Sequence, residues 1–257
     1  MNPLRRYEKI MEILLASGEV MVTELSEQLQ VTGKTIREDL AKLEQKGLLQ
    51  RIHGGAVLAQ ENQRGILSPK GADQHSDEAP EREEIARMAV SLIEPHDVIA
   101  LDGGRTTLET ARQLPDVPLT VVTNDLYIIA ELARKESVRL VVPGGYQMRN
   151  MLIGAEAAAY IRRLNIAKAF LSATAVHPQS GLTIYSGESS EIKRAWLETA
   201  KAAYVVADHR KFGQGALFTF AALHEVDAII TDSGLSEETA KPFKEQGVRL
   251  LIGGMES

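Results

Sequence analysis

Two sets of residues in this chain have types and spacings that could do chemistry. The first is a series of short polar loops in the C-terminal two-thirds. Asp102-Gly103-Gly104-Arg105-Thr106-Thr107 follows an apolar run and opens a helical stretch. Glycines let a ligand approach the backbone there. Free N–H groups and the helix dipole then favour an anion such as phosphate. Asn124-Asp125 and Gly144-Gly145 stand after the next two apolar runs, and Glu188, Lys193 and Lys211 add charge near later ones. Each loop alone reads as a turn or a helix cap. Their recurrence at successive strand ends implies a shared pocket.

The second set lies near the N-terminus. Thr32, Gly33, Lys34, Thr35 and Arg37 cluster at the start of one helical stretch, and Arg51 and His53 follow in an alternating, glycine-broken segment. Lys34 and Arg37 can donate to guanine O6/N7 or to phosphates. Thr32 and Thr35 can touch a phosphate or a thymine methyl, and Arg51 and His53 would lie beside the adjacent backbone or minor groove. Residues 1–58 hold eight Lys/Arg and eight Asp/Glu, and the whole chain carries a net charge of −6. Any DNA contact must therefore come from a few placed cations rather than from bulk charge.

Other chemistry is excluded. The absence of cysteine removes disulfides, thiolate metal sites and cysteine nucleophiles together. No His/Asp/Glu cluster has metal-ligand spacing and no Ser–His–Asp constellation is evident, so neither a metal nor a cofactor is expected. Apolar runs such as Val138–Val142 are far too short to cross a bilayer. Met1–Tyr7 opens no export signal. A cytoplasmic protein with no membrane partner is expected.

The elements that must position these residues fall into three zones. In residues 1–58, Leu4, Tyr7, Ile10, Met11 and Leu14 follow helical spacing, and Gly18 ends that helix. A second helix fits Thr23–Gln30. Thr32 then caps a third, with Ile36, Leu40 and Leu43 inward and Gly47 as its stop. Two short strands within Leu48–Leu58, joined at Gly54-Gly55, would form a wing. Residues 59–80 are polar and rich in glycine and proline, which predicts a linker. From Glu81 to Ser257 strands alternate with helices. The predicted strands are Val98–Leu101, Leu119–Val122, Val138–Val142, Lys168–Ala173, Ala203–Ala207, Ala228–Thr231 and Arg249–Ile252. The predicted helices fall near Glu83–Ile93, Thr106–Leu114, Leu126–Glu136, Ala155–Leu164, Ser189–Ala200 and Glu237–Gln246. Such alternation, with continuous apolar strands, predicts an α/β domain with a mostly parallel sheet covered on both faces.

Two helices joined by a tight turn, the second presenting polar residues outward, make a helix-turn-helix whose second helix fits the major groove. The stretch from Val22 to Leu43, with Thr35-Ile36-Arg37 and Asp39-Leu40, and the His53-Gly54-Gly55-Ala56 wing resemble the winged helix-turn-helix of the DeoR-type bacterial transcriptional regulators. Glu38 stands where that family usually has a second arginine. The C-terminal loops are similar, in family order, to its effector domain, whose fold is related to ribose-5-phosphate isomerase and glucosamine-6-phosphate deaminase. The resemblance implies a phosphorylated sugar or polyol effector held by Gly103–Thr107, Asn124-Asp125, Gly144-Gly145, Glu188 and Lys211. It also implies double-stranded operator DNA as partner, repression of a sugar or polyol operon, and a homo-oligomer (dimer or tetramer), since paired half-sites need paired readers. Arg105 replaces the family's usual threonine.

The rival reading is a sugar-phosphate isomerase or deaminase with an appended DNA-binding unit. That chemistry needs a base beside the carbonyl. The segment Ser172-Ala173-Thr174-Ala175-Val176, where the isomerase relatives carry an acidic loop, has no carboxylate. His177 and Glu188 remain the titratable candidates, each more easily structural or ligand-contacting. No catalytic residue is assigned.

Overall fold

The computed structural model describes residues 2–46, 48–58 and 80–254. The predicted stop at Gly47 and nearly all of the predicted linker lie outside the described residues.

Helix α1 (Pro3–Ser17) starts at Asn2, whose side chain accepts the Arg5 N–H at 2.9 Å, and ends at Gly18, φ +83°. Its apolar face buries Tyr7, Ile10, Met11 and Leu14 against Leu25 and Leu29 of α2 (Val22–Leu29) and Ile36, Leu40 and Leu43 of α3 (Gly33–Gln45). Thr32 caps α3 by accepting the Thr35 N–H at 3.2 Å, which satisfies one of the orphan donors of a helix start. Strands β2 (Leu49–Ile52) and β3 (Gly55–Leu58) form the wing. The sequence gives no warning of β1 (Glu19–Met21), three residues that pair antiparallel with β3 in the order β1-β3-β2. Gly55 is required there because a Cβ would overlap the Val20 carbonyl. A buried ion pair between Arg6 and Asp39 ties α1 to α3, with Nη2 to Oδ1 at 3.0 Å.

The C-terminal region is built on seven parallel strands in the order β15-β14-β12-β9-β4-β5-β6. They are β4 (Val98–Leu101), β5 (Leu119–Thr123), β6 (Val138–Val141), β9 (Ile166–Ser172), β12 (Ala200–Val206), β14 (Ala228–Thr231) and β15 (Leu250–Ile252). One face buries Ile85 and Ala89 of α4 (Pro80–Ser91), Ala111 of α5 (Arg105–Gln113) and Ile128 and Leu132 of α6 (Leu126–Leu132). The other buries Ala157 and Ile161 of α7 (Ala155–Ile161), Ile192 and Trp196 of α8 (Gly187–Thr199) and Phe243 of α9 (Glu237–Lys244). Two helical faces on continuous apolar strands are what a parallel sheet requires. Pro80 belongs to α4 rather than to the predicted linker, consistent with the favour proline finds in a first helical turn.

Two antiparallel additions escape the sequence pattern: the hairpin β7 (Tyr146–Met148) and β8 (Met151–Ile153), and the sheet β10 (Ala175–His177), β11 (Gly181–Ile184) and β13 (Phe218–Ala221). Each strand has three or four residues, too few for a readable alternation.

Candidate functional site

On the N-terminal domain, the start of α3 places Lys34 and Arg37 exposed on one face, with Thr35 half-buried beside them. Among the described residues no carboxylate is within ion-pair distance of Lys34 or Arg37. Gly33 sits close to Val22, where a Cβ would lie 3.4 Å from the valine methyl. Thr32 is occupied as the α3 cap, its hydroxyl also 3.0 Å from that of Thr35. Arg51 is engaged as well: its Nε and backbone N–H both meet the Glu44 carboxylate, at 2.7 and 2.9 Å. That pairing holds Glu44 below the usual carboxylate range, chiefly through the Arg51 backbone hydrogen bond. His53 is exposed at the wing turn, next to Gly54 at φ +81°.

In the sheet, β4 and β9 are adjacent but the chain runs away from them in opposite directions. Ligands of open α/β sheets bind beyond the strand ends at such a switch point. A cavity of about 830 Å³ lies there, lined by Gly103–Thr106 after β4, Ser172–Thr174 after β9, and Asp208 and Lys211 after β12. Glu188 and Lys193 of α8 and Arg82 of α4 complete that end. Lys193 is buried, paired with Asp102, and donates to the Ser172 carbonyl at 2.6 Å. Asp102 in turn accepts the Ser172 N–H at 3.0 Å. Lys211 donates to the Ala173 carbonyl at 2.8 Å. Burial pushes the Lys211 ammonium down to about 8, and Arg105, Lys193 and Arg82 push it the same way against the opposing pull of Asp208. Burial would raise Asp208, yet Lys211 and Arg210 outweigh it and hold this carboxylate below its ordinary value.

Gly103, Gly104, Arg105, Thr106, Glu188 and Lys211 thus converge on one cavity, as a shared pocket requires. Six other expected residues do not reach its wall. Asp102 lies one layer behind, holding Lys193. The Thr107 hydroxyl donates to the Gly104 carbonyl at 2.9 Å. Asn124 is fully buried and donates to the Leu152 carbonyl at 2.9 Å. Asp125 caps α6, accepting the Tyr127 and Ile128 N–H groups at 2.8 and 3.1 Å, and burial raises its pKa. Gly144 and Gly145 form the turn into β7, and a Cβ on Gly145 would overlap the Ile153 carbonyl. These last three positions serve the β7–β8 hairpin instead. Its Arg149, at φ +56°, reaches the cavity wall, as does Arg82, neither of which sequence spacing singled out, and Ser172 and Asp208 join them from the loops after β9 and β12. The same cavity is walled on its remaining side by Arg5, Glu8, Lys9 and Glu12 of α1.

A DeoR-like helix-turn-helix model matches residues 6–62, and a DeoR C-terminal sensor domain model matches residues 77–233. The chain belongs to the DeoR family of transcriptional regulators. This regulator is 33% identical to the HTH-type transcriptional regulator IolR of Bacillus subtilis, covering 97% of this chain and 99% of the relative. It is 35% identical to the transcriptional repressor AccR of Agrobacterium fabrum, covering 89% of each. Ribose 5-phosphate isomerase A of Methanocaldococcus jannaschii matches in structure over 53% of each chain, at 17% identity and a TM-score of 0.39. The relatives are named as regulators, and the family is one of DNA-binding regulators rather than enzymes. No helix among the described residues is long and apolar enough to cross a membrane.

Proposed function

We propose that this regulator represses a sugar or polyol catabolic operon in the cytoplasm and is controlled by a phosphorylated sugar or polyol. Residues 1–58 read the operator through Lys34, Thr35 and Arg37. Residues 81–257 hold the effector and join chains into a dimer or tetramer, because two half-sites need two symmetry-related readers.

The observation that carries the effector reading is the charge at the inner end of the cavity. Arg82, Arg105, Lys193 and Lys211 stand there, and over the whole lining these four with Arg5, Lys9 and Arg149 meet Glu8, Glu12, Glu188, Asp208 and, behind Lys193, Asp102, an excess of two positive charges. A phosphate monoester carries about −1.5 to −2 at neutral pH and offers three acceptor oxygens, which balances that excess. The remaining space suits a short polyhydroxy chain, since ligand cavities run to roughly 300–1,000 Å³. A coupling of about 1–3 kcal/mol between the sites changes operator affinity roughly 5–150-fold, enough for induction.

A thermal-shift screen against phosphorylated sugars and polyols tests this. A ligand at 100 times its Kd stabilises by about 2.7 kcal/mol, and Lys211→Ala removes the shift. A panel that leaves the melting temperature unmoved, or a hit that Lys211→Ala binds normally, would overturn the reading.

A further inference from the structure

We propose that the effector site is completed by the DNA-binding domain, with Glu8 acting as a tethered anion that an anionic effector displaces. This rests on the effector reading above. Helix α1 has two working faces. Tyr7, Ile10, Met11 and Leu14 enter the N-terminal core, while Arg5, Glu8, Lys9 and Glu12, at helical spacing, form a wall of the cavity. One of the four reaches across. Glu8 Oε1 accepts the Gly187 N–H at 2.9 Å. Gly187 is the first residue of α8, the helix that also sends Lys193 and Glu188 to the cavity.

The first N–H groups of a helix have no partner within it and carry the positive end of its dipole. Ser186 satisfies the Ser189 N–H, at 3.4 Å, and Glu8 supplies the acceptor for Gly187. A carboxylate from the DNA-binding domain therefore occupies a donor at the edge of the cation-lined cavity. It is a monoanion with two oxygens, where a phosphate brings nearly twice the charge and three. An anion that enters the cavity with that charge competes for the same field, and Glu8 is the group it can dislodge. Gly187 suits the close approach: a Cβ there would lie 3.0 Å from Glu8 Oε1 and 3.3 Å from the Phe218 ring.

Displacement has a path to the DNA face. Two residues before Glu8, Arg6 grips Asp39 in the middle of α3, so α1 and the helix bearing Lys34 and Arg37 move together. A second interdomain contact is apolar, with Leu217 buried in the N-terminal core and Tyr185 and Phe218 packed on it. Glu8 makes a charge-assisted hydrogen bond that borders the ligand space.

The test uses the full chain, with inorganic phosphate and glucose 6-phosphate as probes. Glu8→Gln and Glu8→Ala should each bind phosphate about tenfold more tightly than the parent, because a charge-assisted hydrogen bond no longer has to be given up. The chain has no cysteine. Spin labels on Glu27→Cys and Glu238→Cys, with labelled chain diluted into unlabelled, therefore read the interdomain distance. Phosphate should shift that distance in the parent, and Glu8→Gln should show the shifted value without ligand. Unchanged or weaker phosphate binding in both variants, or a distance that neither phosphate nor Glu8→Gln moves, overturns the proposal while leaving the effector reading intact. Failure of both probes to bind even the parent overturns the two together.

Discussion

Lys34 and Arg37 stand exposed at the start of α3, whereas Lys193 of α8 is buried and Lys211, after β12, half-buried. In the proposed reading both regions present cations to phosphate, yet under different dielectric conditions. An exposed charge pair is worth about 1 kcal/mol at 4 Å in water and several times that where water is excluded. The DNA face gains strength from many screened contacts along a polyanion and must be salt-sensitive. The cavity gains it from a few desolvated charges around one small anion. The cost shows in the structure: buried Lys193 needs Asp102, while Lys34 and Arg37 need nothing.

Removing that counter-charge should have the largest effect. Asp102→Ala leaves the Lys193 ammonium buried and uncompensated, and should destabilise the fold by about 3–5 kcal/mol in urea denaturation. A loss below about 1 kcal/mol would mean that the cavity is as wet as the DNA face. On that face, Arg37→Ala should weaken binding to operator DNA by about 1–3 kcal/mol while stability stays within about 0.5 kcal/mol. An unchanged footprint would remove α3 from the reading surface. The smallest effect is a pH dependence confined to the cavity. Below about pH 8 Lys211 is already charged. Above it Lys211 must regain a proton to give the effector its ammonium partner, so affinity falls with rising pH, by up to about tenfold per pH unit. Calorimetry in buffers of different ionisation enthalpy should show proton uptake on binding by Lys211 that grows as pH rises through about 8. Operator binding through Lys34 and Arg37 should show no such step there.

The legible parts were those with a long period or a strong local signal. The three N-terminal helices follow from apolar spacing and from Thr32 and Gly18, and the seven parallel strands from continuous apolar runs. Strand ends moved by one to three residues because hydrogen bonding rather than hydropathy sets them; β12, for example, begins at Ala200 rather than Ala203. The loops after β4 and β12 could be read as site-forming because glycine, hydroxyl and lysine chemistry was concentrated in them. Asn124, Asp125 and Gly145 carried the same residue types, but their polar groups are spent on capping α6 and anchoring the β7–β8 hairpin, whose existence the sequence concealed. Nothing in the spacing of Arg51, an expected DNA contact, foretold that Glu44, seven residues upstream, lies within 2.7 Å of it. The α1 wall was out of reach for another reason: Glu8 and Gly187 are 179 positions apart, and nothing in one sequence marks them as neighbours.

Strand β1 precedes the helix-turn-helix in the chain, yet it is stitched to β3, which follows it, and the Val22 N–H closes the loop on the Gly54 carbonyl at 2.8 Å. The helices proposed to read the operator are therefore tied to the wing that follows them. Neither can tilt without the other. Under the proposed control, a metabolite signal arriving at this head would re-aim or release it as one piece and leave the bases it reads unchanged.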